Sequence, residues 1–223
     1  MKTRFTIALI ALLGFAASNT IAQDHGRETN TDSYQIHTLF KTGHKASGGF
    51  GALENKFTRI NGKYANLAGI YGGWYINHRF LLGVAGAAVT NNIPVPEHLS
   101  AIPGEEMSYE YGQFGLMTEY TFWSHRAIHF SLGVMNGSGF TVQYIRNDHD
   151  EPYWDHEYRN YPKETNFFFV SEPSARIEFN IFKWMRFTPG VSYRFAYGSN
   201  AEGLSDDAIS GMSYNMTLKF GKF

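Results

Sequence analysis

Seven charged residues of this chain share one local pattern: Glu119, Glu172, Arg176, Glu178, Arg186, Arg194 and Lys219. Each stands in a run where small or polar residues alternate with large apolar ones. In Met185–Gly198 the sequence sets Arg186, Thr188, Ser192 and Arg194 against Phe187, Val191, Tyr193 and Phe195. Side chains alternate faces along a strand, so these are two surfaces. Ions collected on one inner face must pair, because an unpaired buried charge is costly. Glu54 and Lys56 are further candidates for that face. A salt-bridge plug is one outcome; a narrow ion path or a pH-sensitive gate is the other.

Two further groups carry chemical potential. Arg146–Asn166 holds six acids, two histidines and four aromatics. Among them Asp148, His149, Asp150, Asp155, His156 and Glu157 could ligate a divalent cation, since carboxylates and imidazole are suitable donors. Their spacing matches no defined metal loop, so no metal site is assigned. The same stretch carries Tyr153, Trp154 and Tyr158, residue types favoured in recognition surfaces, and it is a candidate for contact with a surface ligand. His129 and Ser131 share one face of a strand, as a lipid deacylase would need. They sit at the end away from the long connections, so no catalytic residues are assigned. No cofactor is expected.

The elements that must position these residues are eight amphipathic segments: Ser47–Ile60, Tyr64–Ile76, Phe80–Thr90, Ser108–Trp123, Ala127–Ile145, Phe167–Phe182, Met185–Gly198 and Gly211–Phe223. All are long enough for a tilted membrane crossing of about 9–11 residues. Short connections at Asn77-His78-Arg79, Ser124-His125-Arg126 and Lys183-Trp184 alternate with long ones near Asn91–Met107, Arg146–Asn166 and Ser199–Ser210. Only the first outer connection, Asn61-Gly62-Lys63, is brief. Short turns on one side and long loops on the other describe an all-β fold: an eight-stranded antiparallel up-and-down transmembrane β-barrel.

Face polarity decides between two kinds of barrel. A soluble lipocalin-like barrel turns its apolar face inward. Here the apolar face is crowded with large aromatics, and the other is rich in Gly, Ser, Thr and Ala with a few ions. An eight-stranded lumen is just wide enough to be filled by side chains, which suits the second face. The aromatic face is therefore expected in lipid. Trp74, Tyr75, Phe122, Trp123, Phe182, Trp184 and Phe187 are expected in a belt near the short turns. Tyr109, Tyr111, Tyr144, Phe167, Tyr197 and Tyr214 are expected in a second belt near the long connections.

The first residues read as a secretory leader over 1–22. Lys2 and Arg4 precede an apolar stretch, Phe5–Ala17, too short to span a bilayer. A polar periplasmic lead-in, 23–46, then precedes a barrel domain over 47–223. The chain has 19 basic and 20 acidic residues, and loss of the leader takes the net charge from −1 to −3. That argues against nucleic acid as a partner. There is no cysteine, which excludes disulfides and thiol chemistry. A mean hydropathy of −0.31 fits a barrel that keeps its apolarity in every second residue.

On this pattern the chain from Ser47 to Phe223 resembles the small eight-stranded outer-membrane β-barrels of Gram-negative bacteria, of the OmpA and OmpX plan. The segment Gly69-Ile70-Tyr71-Gly72-Gly73-Trp74-Tyr75-Ile76-Asn77-His78-Arg79-Phe80 is similar to Bacteroidota-type barrels. The resemblance implies a monomer in outer-membrane lipid. It also implies that a terminal aromatic, here Phe223, signals to the barrel-assembly machinery. The expected role is structural or surface-interacting through the outer loops, with a narrow channel and a lipid-modifying enzyme as alternatives.

Overall fold

The computed structural model describes residues 47–102, 104–145 and 165–223. The leader, the lead-in and residues 146–164, with Asp148, His149, Asp150, Asp155, His156 and Glu157, lie outside the described residues.

Eight long strands are present among the described residues: β1 (Ser47–Ile60), β2 (Lys63–Ile76), β3 (Phe80–Val89), β5 (Met107–Phe122), β6 (Ile128–Ile145), β7 (Asn166–Phe182), β8 (Met185–Tyr197) and β9 (Gly211–Gly221). A two-residue strand, β4 (Ile93–Pro94), pairs with the start of β5. Each long strand pairs antiparallel with its sequence neighbour, β3 pairs with β5, and β1 pairs with β9. The sheet is a closed ring with no free edge, the one sheet form that lipid tolerates.

The turns explain the strand ends. Asn61 and Gly62 both have positive φ (51° and 69°), as a two-residue hairpin turn requires. In the three-residue turn between β2 and β3, Asn77 and His78 also have positive φ, 57° and 55°. At Gly73 and Gly83, directly paired across β2 and β3, a Cβ would strike the backbone of the partner strand. Only glycine lets these strands approach so closely.

The alternation sorts the faces. Leu53, Ile70, Val84, Leu132, Ile177 and Met216 point outward and are exposed, and Leu116 is 62% exposed. Arg176, Glu178, Arg194 and Lys219 point inward and are buried. A soluble barrel has the reverse arrangement, so the lipocalin-like alternative falls.

One expectation needs correction. Tyr75, Tyr109 and Tyr111 belong to neither aromatic belt. They are buried inside the barrel, because they share strand parity with Tyr71, Gln113 and Glu119 rather than with Trp74 and Phe114. Proximity to a strand end had suggested a belt, but parity decides the face. Trp74, Trp123, Phe182 and Trp184 are exposed at the short-turn end, and Phe167, Tyr197 and Tyr214 at the other. The described outer connections also contribute to the core. Ile93, Leu204 and Ile209 are fully buried with Tyr109 and Tyr111. The last outer connection carries a short helix, α1 (Asp206–Ile209), capped by the Ser205 side chain accepting from Ala208 N–H. These residues fold onto the outer end of the barrel interior.

Leu116→Arg should destabilise the barrel by about 2–4 kcal/mol, the cost of a cation on a lipid face near the midplane. Urea unfolding of protein refolded into lipid vesicles measures it. A change near zero would mean that this face meets water.

Candidate functional site

The barrel interior is the only place this fold gathers ionisable groups away from water among the described residues. Inward positions of β1, β5, β7, β8 and β9 supply them. β3 offers Leu81, Gly83, Ala85, Ala87 and Val89 to the same space, none of them ionisable. Eight ions form one chain of alternating sign. Arg186 lies 3.0 Å from Glu178, which lies 2.6 Å from Lys219. Lys219 lies 2.6 Å from Glu119, which meets Arg176 at 3.3 Å. Arg176 meets Glu54 at 3.0 Å, and Glu54 meets Lys56 at 3.4 Å. Lys56 ends the chain on Glu172 at 2.7 Å. Four carboxylates and four cations cancel.

Neutral groups satisfy the remaining lone pairs. Tyr75 Oη donates to Glu119 at 2.8 Å, and Lys219 Nζ approaches the same hydroxyl at 3.2 Å. Gln113 and Ser192 donate to Glu172. Thr217 donates to Glu54 at 3.2 Å. Ser131 donates to one oxygen of Glu178 at 2.9 Å, and His129 Nε2 lies 3.0 Å from the other. The serine and histidine that resembled the start of a hydrolytic site thus both serve one buried carboxylate. Charge-assisted bonds of this kind are the stronger class of hydrogen bond.

Arg194 departs from the expected salt-bridge set. It is 0% exposed and meets no carboxylate among the described residues. Its Nε donates to the Ile209 carbonyl at 2.8 Å and its Nη2 to the Arg59 carbonyl at 3.3 Å. Its guanidinium lies 4.9 Å from the Tyr111 ring centroid. Ile209 ends α1, so its carbonyl carries the negative end of that helical turn. Arg194 therefore ties the last outer connection onto the outer end of the lumen. At the other end the Phe223 ring covers Arg186, 3.9 Å from the guanidinium carbon, and packs on Phe50 and Tyr75. The outward aromatic of the last strand at this end is Phe220, which stacks on Trp184.

The sequence pattern placed Glu119, Glu172, Arg176, Glu178, Arg186 and Lys219 on one face, and the fold brings them into contact with each other. It also draws in Gln113 and Ser192, which carried no signal beyond their parity, Tyr75, which was expected in the aromatic belt, and His129, which was singled out only beside Ser131. One internal cavity beside Tyr71, bordered by Glu54, Lys56, Glu172 and Arg176, has about 10 Å³ open to a water centre, space for about one water.

Lys219→Met should cost about 3–5 kcal/mol, because Glu119 and Glu178 both lose a buried partner. Adding Glu119→Gln should recover part of that loss. The denaturant midpoint of the vesicle-refolded barrel measures both, and an unchanged midpoint for the single variant would show that the chain of ions carries no strain when broken.

No family model matches the sequence, and no curated protein matches it. Solved structures do share its fold. Neisserial surface protein A superposes with a TM-score of 0.55 at 9% identity, covering 79% of this chain and 97% of its own. The attachment invasion locus protein Ail of Yersinia pestis gives 0.47 at 7% identity, covering 79% and 99%. The outer-membrane protein OprG of Pseudomonas aeruginosa gives 0.43 at 14%, covering 80% and 97%. The first of these carries the comparison, and at such identity it speaks of architecture. The chain has the fold of the small eight-stranded outer-membrane β-barrels, with its ions inside and its apolar face toward lipid.

Proposed function

We propose that this protein is an integral outer-membrane barrel with a solid interior, and that it acts as a structural and surface-interaction protein through its outer connections. A leader over 1–22 and a periplasmic lead-in over 23–46 belong to this reading, as does delivery by the assembly machinery through the last strand. The observation that carries it is the burial of the ion chain. Glu119, Glu178 and Lys219 are at most 1% exposed. A water-filled pore would leave its lining accessible, and conduction needs that continuous path. Side chains fill the lumen, while Arg194 and Phe223 close its two ends. That leaves the outer end for action, through the connections near Asn91–Met107 and Ser199–Ser210 and the segment Arg146–Asn166 that joins β6 to β7.

Two measurements test this. Planar-bilayer recording of folded, heat-modifiable protein should give no steady conductance steps, and reproducible single-channel steps would overturn the solid interior. Deleting Asp148–Tyr161 should preserve the boil-dependent gel mobility shift, since β6 ends at Ile145 and β7 begins at Asn166. Cells displaying the intact and the shortened protein are then compared for adherence to immobilised proteins and glycans. Adherence lost with the segment supports the surface role, and equal adherence by both forms counts against it.

A further inference from the structure

The two ends of the barrel differ in sign. Every connection at the short-turn end carries one exposed cation: Arg79 between β2 and β3, Arg126 between β5 and β6, Lys183 between β7 and β8, and Lys222 after β9. His78 and His125 lie in the same turns. No Asp or Glu stands in these turns among the described residues. None of the four cations is ion-paired among the described residues. Among the described residues the opposite end carries Glu97, Glu105, Glu106, Glu202, Asp206 and Asp207 against Arg59 and Lys63.

Directly beside this basic rim lies the outward aromatic belt. Trp74, Trp123 and Trp184 are 68%, 51% and 56% exposed. The Arg126 guanidinium lies 5.6 Å from the Trp123 ring centroid. Indole rings settle at the depth of lipid headgroups. A guanidinium at that depth presents paired donors with the geometry of a phosphate. Basic residues close to an anionic leaflet are attracted to it, and the attraction fades within a Debye length. Four unpaired cations spread around one rim, each next to a headgroup-level belt, make an annulus of positive charge at the lipid surface.

We infer that this rim binds the anionic phospholipid headgroups, phosphatidylglycerol-type, of the leaflet at the short-turn end, which is the periplasmic leaflet for a barrel of this kind. The inference rests on the membrane placement proposed above. It adds that the barrel selects among lipids at that end by charge.

The chain supplies its own probe, because three of its four tryptophans sit at this rim. Full-length protein carrying Trp154→Phe is refolded into phosphatidylcholine vesicles. These contain an equal small fraction of either brominated phosphatidylglycerol or brominated phosphatidylcholine, and tryptophan quenching is read. The brominated anionic lipid should quench several-fold more per mole. The excess should vanish in the Arg79→Gln/Arg126→Gln/Lys183→Gln/Lys222→Gln variant and at about 1 M salt, where the Debye length is about 3 Å. All four side chains are exposed, and the heat-dependent gel shift checks that the variant folds. Equal quenching by both lipids in the parent protein, or an excess that survives the four substitutions, overturns the inference while leaving the membrane reading intact. No quenching by either lipid overturns the membrane reading itself.

Discussion

Four glutamates and four cations share a lumen too narrow for bulk water, and each must be neutralised inside it. That constraint organises the barrel. The ions come from β1, β5, β7, β8 and β9, so every link of the alternating chain except Glu54–Lys56 and Glu178–Arg186 joins residues far apart in sequence. A buried ion pair is weak evidence of net stability, since desolvation offsets much of the attraction. Its stronger effect here is on register. A one-residue slip of a strand sends its inward set to the other face. In β7 that would carry Glu172, Arg176 and Glu178 into lipid together. The mispaired barrel is therefore penalised on both faces at once.

The closed ring and the ion chain depend on each other. The ring satisfies every strand edge, which hydrocarbon demands. Its small diameter then forces the inner side chains into contact. Glycine and alanine on β2 and β3 make this possible on one side, where Gly73 and Gly83 face each other and Ala85 and Ala87 leave room for the charged side chains of β1 and β7. The long ionic residues stand opposite small ones, as a filled interior requires. Arg194 and Phe223 extend the same economy to the ends: one holds the helix-bearing outer connection by its carbonyl, and the other covers Arg186.

The interior and exterior thus have different tasks. If the interior is solid, as proposed, specific action falls to the two ends and the lipid-facing surface. Among the described residues the outer end is acidic, and Leu204 and Ile209 anchor its last connection in the core. The inner end is basic and ringed by tryptophan. A barrel with this polarity does not sit in the bilayer as an electrically neutral cylinder. Its charge distinguishes the two membrane surfaces.

Much of this was legible in the sequence, because a barrel strand writes its two faces into alternate residues. The limits of the long strands, their number, the polarity of the faces and the inward set in β5, β7, β8 and β9 all follow from a period of two. The misread residues failed for an identifiable reason: Tyr75, Tyr109 and Tyr111 were assigned by nearness to a strand end, although their parity already pointed inward. What parity cannot supply is partnership. Whether Lys219 meets Glu119, Glu178 or both depends on the shear between strands and on barrel diameter, which are properties of the closed ring. The same holds for Arg194, whose carbonyl partners come from β1 and from a connection that only closure brings over the lumen. Sequence determined which side chains face inward, since that is local stereochemistry. Tertiary structure decided which of them touch, since that is set by how eight strands close on one another.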